Sequence, residues 1–195
     1  MIKKNVYDCT RPRRLGIRGS IVEGDSTRYT DAKDEIDNFQ NFQKSFKCNI
    51  DMLIYLVDQV NYFLEQLSLE TYSIQEIIKI NGVHFNLSDK KNMKNFYDSL
   101  KNKYDLNDER HLVWLKFTKN GCLGVVAAGA DINFDSENTS GKIINYVHEE
   151  WDEELVLVFP LSKIGFGFRR DIECGIGNYL LDLKVPILDK FSHMY

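Results

Sequence analysis

Proline and cysteine are scarce in this chain, and each scarcity closes off a class of structure. With three prolines in 195 residues there is no proline-rich linker, so nothing in the composition divides the chain into separately folding units. The four cysteines, Cys9, Cys48, Cys122 and Cys174, stand far apart without CxxC or Cys/His spacing. That pattern fits neither a zinc ribbon nor a disulfide framework and points to free thiols in a reducing compartment. No apolar run approaches the roughly 18 residues that span a bilayer, and Met1-Ile-Lys-Lys-Asn leads into no apolar signal core. A soluble, cytoplasmic protein with no membrane contact is expected. There is no GxxxxGK[ST] phosphate loop, no internal repeat, no low-complexity tract and no cofactor motif, so no cofactor is expected. Charge of neither sign dominates: 25 lysines and arginines face 29 acids, a formal net charge of −4. That balance lacks the electrostatic signature of a nucleic-acid coat and argues against specific nucleic-acid recognition.

What is present is enough to build a core, because 43% of the residues are hydrophobic and 12% aromatic. The fold class read from the pattern is α+β: N-terminal helices, then an antiparallel sheet covered by a C-terminal helix. The chain 1–195 is expected to form a single domain, with an irregular basic arm over 1–30, a mainly helical part over 31–104 and a sheet plus helix over 111–195.

The helical part begins at Thr30, a suitable N-cap, and Ile36, Phe39, Phe42 and Phe46 give a helix over 31–47 its apolar face. The strongest helical pattern is 51–67, where Leu53, Leu56, Val57, Val60, Phe63, Leu64 and Leu67 make an unbroken stripe. Ile78 to Phe85, around Asn81-Gly82, reads as a small hairpin, and Ser88 caps a helix over 88–104 with five lysines on its outer face.

In the second half, His111 to Thr118 and Cys122 to Ala128 flank Asn120-Gly121, which predicts a hairpin with a type I′ turn. Lys142 to Val147 and Leu155 to Phe159 are two further strand candidates. The latter is apolar throughout and is therefore expected at the centre of the sheet. A helix over 169–183 carries Ile172, Ile176, Tyr179, Leu180 and Leu183 on one face. Gly175 and Gly177 each cost about 1 kcal/mol there relative to alanine, which marks a close approach of helix to sheet. Val185-Pro186 then stops it.

Three clusters could carry function. Glu149, Glu150, Trp151, Asp152, Glu153 and Glu154 concentrate five carboxylates around a tryptophan, an arrangement suited to a basic protein partner with the indole as anchor. The bland alternative is a polar hairpin tip with Trp151 folded back on the sheet. Arg11, Arg13, Arg14 and Arg18, beside Gly16 and Gly19, could hold phosphates through their guanidinium forks, although charge runs are ordinarily solvated. Arg169, Arg170, Glu173 and His193, with Asp189 and Ser192 nearby, could clamp a phosphate and move a proton; routine ion pairing along a helix explains the same residues.

Metal binding draws less support. Asp131, Asp135 and Glu137 lack the EF-hand glycine and terminal glutamate, and His84, His111 and His148 have no second histidine at ligand spacing, so no metal is expected. The leading functional expectation is a non-catalytic protein-binding module, such as an inhibitor or immunity-type protein acting on a basic enzyme. The alternative is a phosphate-directed enzyme, a nuclease or nucleotide hydrolase, built on the Arg169 cluster.

Overall fold

In the computed structural model, strand β1 (Leu112–Thr118) is buried at every position. A strand has two faces, so side chains that alternate between them can all be buried only if both faces are covered. The structure describes residues 26–44, 49–72, 102, 111–129, 139–161, 164 and 168–189. Within them β1 is flanked antiparallel by β2 (Leu123–Gly129) on one side and β3 (Trp151–Pro160) on the other, in the order β2-β1-β3. Helices α1 (Ser26–Lys44) and α2 (Asn49–Gln66) precede the sheet, α3 (Thr139–Tyr146) falls between β2 and β3, and α4 (Phe168–Asp182) follows. This is the α+β arrangement of N-terminal helices, antiparallel sheet and C-terminal helix packed on the sheet. The middle strand among those described is β1, whereas the apolar run Leu155 to Phe159 lies in β3 beside it.

The helices with clean periodicity form where the sequence places them. In α2, Leu56, Val57, Val60, Phe63 and Leu64 are buried, the stripe that a 3.6-residue period aligns on one side. In α4, Ile172, Ile176, Tyr179 and Leu180 are buried together with Gly175 and Gly177, and the helix packs on β2 and β1. Helix α1 starts at Ser26, ahead of the expected cap at Thr30. Ser26-Thr-Arg-Tyr contains no helix breaker, and the nearest upstream one is Gly24. The expected hairpin over 78–85 and most of the helix over 88–104 lie outside the described residues, as does the arm before Ser26; Asn102 is helical.

Two expectations about the sheet are corrected. The β1–β2 turn is not type I′, because positive φ occurs at Gly121 (+86°) and not at Asn120. Gly121 N–H donates to Thr118 O at 2.8 Å and Thr118 N–H to Cys122 O at 2.9 Å, a three-residue loop that needs one left-handed residue instead of two. Lys142 to Val147, expected as a strand, lies in and just beyond α3. Burial falls on Ile143, Ile144 and Val147 while Lys142, Asn145 and Tyr146 are exposed, an i, i+1, i+4 rhythm that alternation cannot produce. The β-branched composition suggested a strand, and packing overrode it.

Three helices end alike. At α2, α3 and α4 the closing amide reaches back five residues, Leu69 to Leu64 O (3.0 Å), Glu149 to Ile144 O (3.0 Å) and Val185 to Leu180 O (2.9 Å). The residues before them, Ser68, His148 and Lys184, take φ of 58°, 60° and 64°. These are Schellman caps with a side chain at the position that glycine usually fills. After the last cap, Val185 to Asp189 is buried and returns along β2, Leu188 N–H donating to Leu123 O (3.0 Å) and Asp189 N–H to Gly124 O (2.9 Å). Ser140 Oγ donates to Asp189 Oδ2 at 2.5 Å, which ties α3 to this segment.

Gly124 has no room for a side chain. It is the extra residue where the β1–β2 register shifts between Lys116↔Val125 and Phe117↔Leu123. A Cβ there would stand 2.3 Å from Cζ3 and 2.8 Å from Cη2 of Trp151. Gly124→Ala should therefore lower the stability measured by urea unfolding by about 1–3 kcal/mol, the usual range for overpacking. Trp151→Leu should cost less in that background than in the wild type, because the clash it relieves exists only there. An unchanged urea midpoint in Gly124→Ala would contradict the packing.

Candidate functional site

The acidic segment 149–154 is not a free hairpin tip. Because 142–146 belongs to α3, the chain passes from the helix cap at His148 through Glu149 and Glu150 directly into β3. Trp151 is the first residue of that strand, opposite Thr118, and is 8% exposed. The expectation of an exposed indole anchor is corrected accordingly. Its ring lies against Gly124, with the buried Lys116 ammonium 4.3 Å from the ring centroid.

The two acids ahead of it are exposed or half-buried but engaged with the β1–β2 turn. Lys119 N–H donates to Glu150 O at 2.8 Å, Lys119 Nζ pairs with the Glu150 carboxylate, and Asn120 Nδ2 donates to Glu149 Oε1 at 3.1 Å. Asp152 is half-buried, and the side chains of Glu153 and Glu154 lie outside the described residues. One nearby cation and one carboxamide thus already answer part of this charge.

The other two clusters lie wholly or partly outside the described residues. Arg11, Arg13, Arg14 and Arg18 lie outside the described residues, as do His193 and Ser192. Arg169, Arg170 and Glu173 share α4, with Arg170 exposed and the other two half-buried. Asp189 is fully buried and accepts from Ser140, which gives it a structural task. The convergence on His193 that general acid–base chemistry would need lies outside the described residues. Asp131, Asp135, Glu137 and His84 also lie outside them, and among the described residues no group of histidine, cysteine and acidic side chains could hold a metal ion.

Cys122 and Cys174 are buried free thiols. Burial pushes the Cys122 thiol up to about 11, against a smaller lowering by its hydrogen bond with Thr118. It is an inert packing group, since reactivity needs the thiolate. Among the described residues no helix is long and apolar enough to cross a membrane.

A site that the sequence reading passed over lies on α2. Opposite its buried stripe, Ile54, Asp58, Tyr62 and Glu65 are exposed, at i, i+4, i+8 and i+11, one continuous line along the helix. Ile54 is 40% and Tyr62 49% exposed. The segment Asn49–Gln66 contains Asp51, Asp58 and Glu65 and no lysine or arginine. Tyr62 is held in place: its ring stacks on Tyr179 of α4 at 6.0 Å and 24°, and Tyr179 OH donates to Gln59 Oε1 at 3.0 Å. Burial raises the Tyr179 pKa, with Tyr62 and Tyr55 adding to the rise, so the hydroxyl remains a donor throughout the neutral range. The signal was available in the sequence as the line left over once the core stripe is removed.

Comparison with known proteins found no matching family, no matching curated protein and no matching solved structure.

The Glu150 carboxyl sits below the usual glutamate range because Lys119 donates a hydrogen bond to it and adds a favourable charge. A carboxyl depressed in the folded state contributes stability above its unfolded pKa and loses it as pH falls through the folded value. With the two side chains 64% and 71% exposed, solvent screens the pair and the contribution is small. An NMR titration should find Glu150 titrating below an ordinary glutamate and returning to the ordinary value in Lys119→Met. An unshifted wild-type midpoint would contradict the pairing.

Proposed function

We propose that this chain is a non-catalytic protein-binding module of the inhibitor or immunity type, that its partner presents a basic surface, and that the outward line of α2 makes the contact. The observation that carries this reading is the combination on one rigid helix of two large exposed apolar side chains, Ile54 and Tyr62, with Asp58 between them, Glu65 beyond, and no basic residue anywhere in Asn49–Gln66. Exposed tyrosine and isoleucine on a firm backbone supply apolar area to an interface centre, and acids beside them select a cationic surface and speed encounter. Tyr62 is already stacked on Tyr179, so little side-chain freedom is lost when a partner covers it.

The acidic residues 149–154 contribute charge from the far edge and not an anchor, because Trp151 is buried and Lys119 and Asn120 already engage Glu150 and Glu149. The buried free thiols Cys122 and Cys174 are in keeping with a reducing, cytoplasmic working place.

The test is capture of partners from native lysate on immobilised wild-type protein, followed by affinity measurements with the purified partner. A basic protein should bind in a salt-sensitive manner, and Tyr62→Ala and Asp58→Lys should each weaken it about tenfold, roughly 1.4 kcal/mol. Glu150→Lys should change it much less. An acidic partner, or one whose affinity is unaffected by both α2 replacements, would overturn the reading.

A further inference from the structure

Beyond that face, α1 and the end of α4 enclose a cleft of about 420 Å³. From α1 come Glu35, Asn38, Asn41 and Phe42, from the last turn of α4 comes Leu181, and from the turn after it come Lys184 and Val185. The α1 residues fall at i, i+3, i+6 and i+7 and so share one helix face. Lys184 is fixed from the other side by the Schellman cap, its own N–H donating to Leu181 O and that of Val185 to Leu180 O, each at 2.9 Å. The ammonium therefore swings from a rigid point on the rim.

The walls carry opposite charge. Glu35 is 8% exposed, a carboxylate in a largely dehydrated position, while Lys184 is exposed. Among the described residues Lys184 forms no ion pair, with Glu35 or any other acid. Between the two, Asn38 and Asn41 each offer a donor pair and an acceptor, and Phe42, Leu181 and Val185 provide an apolar surface.

A simple anion here would meet the Glu35 carboxylate, and a simple cation would meet Lys184. A purely apolar molecule would strip water from the exposed Asn38, Asn41 and Lys184 and return nothing, at roughly 1–3 kcal/mol for each one left unsatisfied. What fits is a molecule carrying both charges a short distance apart with an apolar substituent, and the volume lies at the small end of the 300–1,000 Å³ typical of ligand sites.

We propose that the cleft between α1 and the end of α4 binds a free α-amino acid with an apolar side chain. Glu35 receives the ligand's ammonium, Lys184 its carboxylate, Asn38 and Asn41 hydrogen-bond to both, and the side chain lies on Phe42, Leu181 and Val185. Glu35 already has an interaction of its own, and a carboxylate with about four acceptor positions accommodates a further donor.

The experiment uses the full chain and four probes: L-leucine, L-phenylalanine, N-acetyl-L-leucine, which lacks the ammonium, and L-leucinamide, which lacks the carboxylate. Calorimetry and thermal unfolding should show saturable binding of L-leucine or L-phenylalanine, and at least tenfold weaker binding of both blocked derivatives. Lys184→Met, which keeps the same backbone demand at an exposed site, should weaken L-leucine at least tenfold while leaving L-leucinamide unchanged. Glu35→Gln should weaken L-leucine while leaving N-acetyl-L-leucine unchanged or improved. Because Glu35 is buried, that variant is interpreted only if its circular dichroism matches wild type, and Lys184→Met decides otherwise. Absence of saturable binding by either amino acid, equal binding of the blocked derivatives, or undiminished L-leucine affinity in Lys184→Met would each overturn the assignment.

Discussion

The packing of one indole ring constrains the sheet and everything attached to it. Trp151 enters β3 opposite Thr118, and its ring rests where Gly124 leaves no Cβ in its way, a spot that Ile144 of α3 also borders. Lys116, 2% exposed, places its ammonium over the same ring. Dehydrating an ammonium is expensive, and a cation–π contact worth about 2 kcal/mol when desolvated offsets part of that cost. The indole N–H has no hydrogen-bond partner among the described residues, a penalty of roughly 1–3 kcal/mol that the apolar burial of the ring must exceed. The same seat links distant parts of the chain, since the Gly124 carbonyl takes the Asp189 amide and Asp189 holds Ser140 at the start of α3.

For the function proposed, the buried indole is the reason the contact is assigned to α2 and not to residues 149–154. If Trp151 were exposed, residues 149–154 would combine a central aromatic anchor with a ring of acids. With the ring buried and Glu149 and Glu150 engaged by Asn120 and Lys119, those residues are a partly neutralised strand entry. The exposed aromatic and acidic combination occurs instead on α2, where Tyr62 stacks on Tyr179 and the helix that carries Asp58 and Glu65 has no lysine or arginine of its own.

How much of this was legible follows from which forces are local. The buried stripes of α2 and α4 could be read directly, because apolar spacing at 3.6 residues reports a face whatever it packs against. The β1–β2 pairing was legible from the β-branched and aromatic runs that flank Asn120-Gly121, but its turn was not: Asn120-Gly121 satisfies two loop geometries, and the one adopted, with a single left-handed residue, accompanies the register shift at Gly124. In 142–147, β-branched content outweighed the i, i+1, i+4 rhythm of Ile143, Ile144 and Val147, and that error made the following acids look like a tip. The burial of Lys116 and Trp151 could not be read at all. The two meet in a cation–π contact between residues on neighbouring strands. The α1–α4 cleft was invisible for a similar reason, since Glu35 and Lys184 come together only through packing.

The chain has two tryptophans, Trp114 and Trp151, so Trp114→Phe leaves the fluorescence of Trp151 alone. The account predicts a blue-shifted emission that acrylamide quenches weakly in the folded protein and strongly after unfolding in urea. Emission near that of free tryptophan, quenched equally in both states, would mean that the indole stands in water and would contradict the central claim.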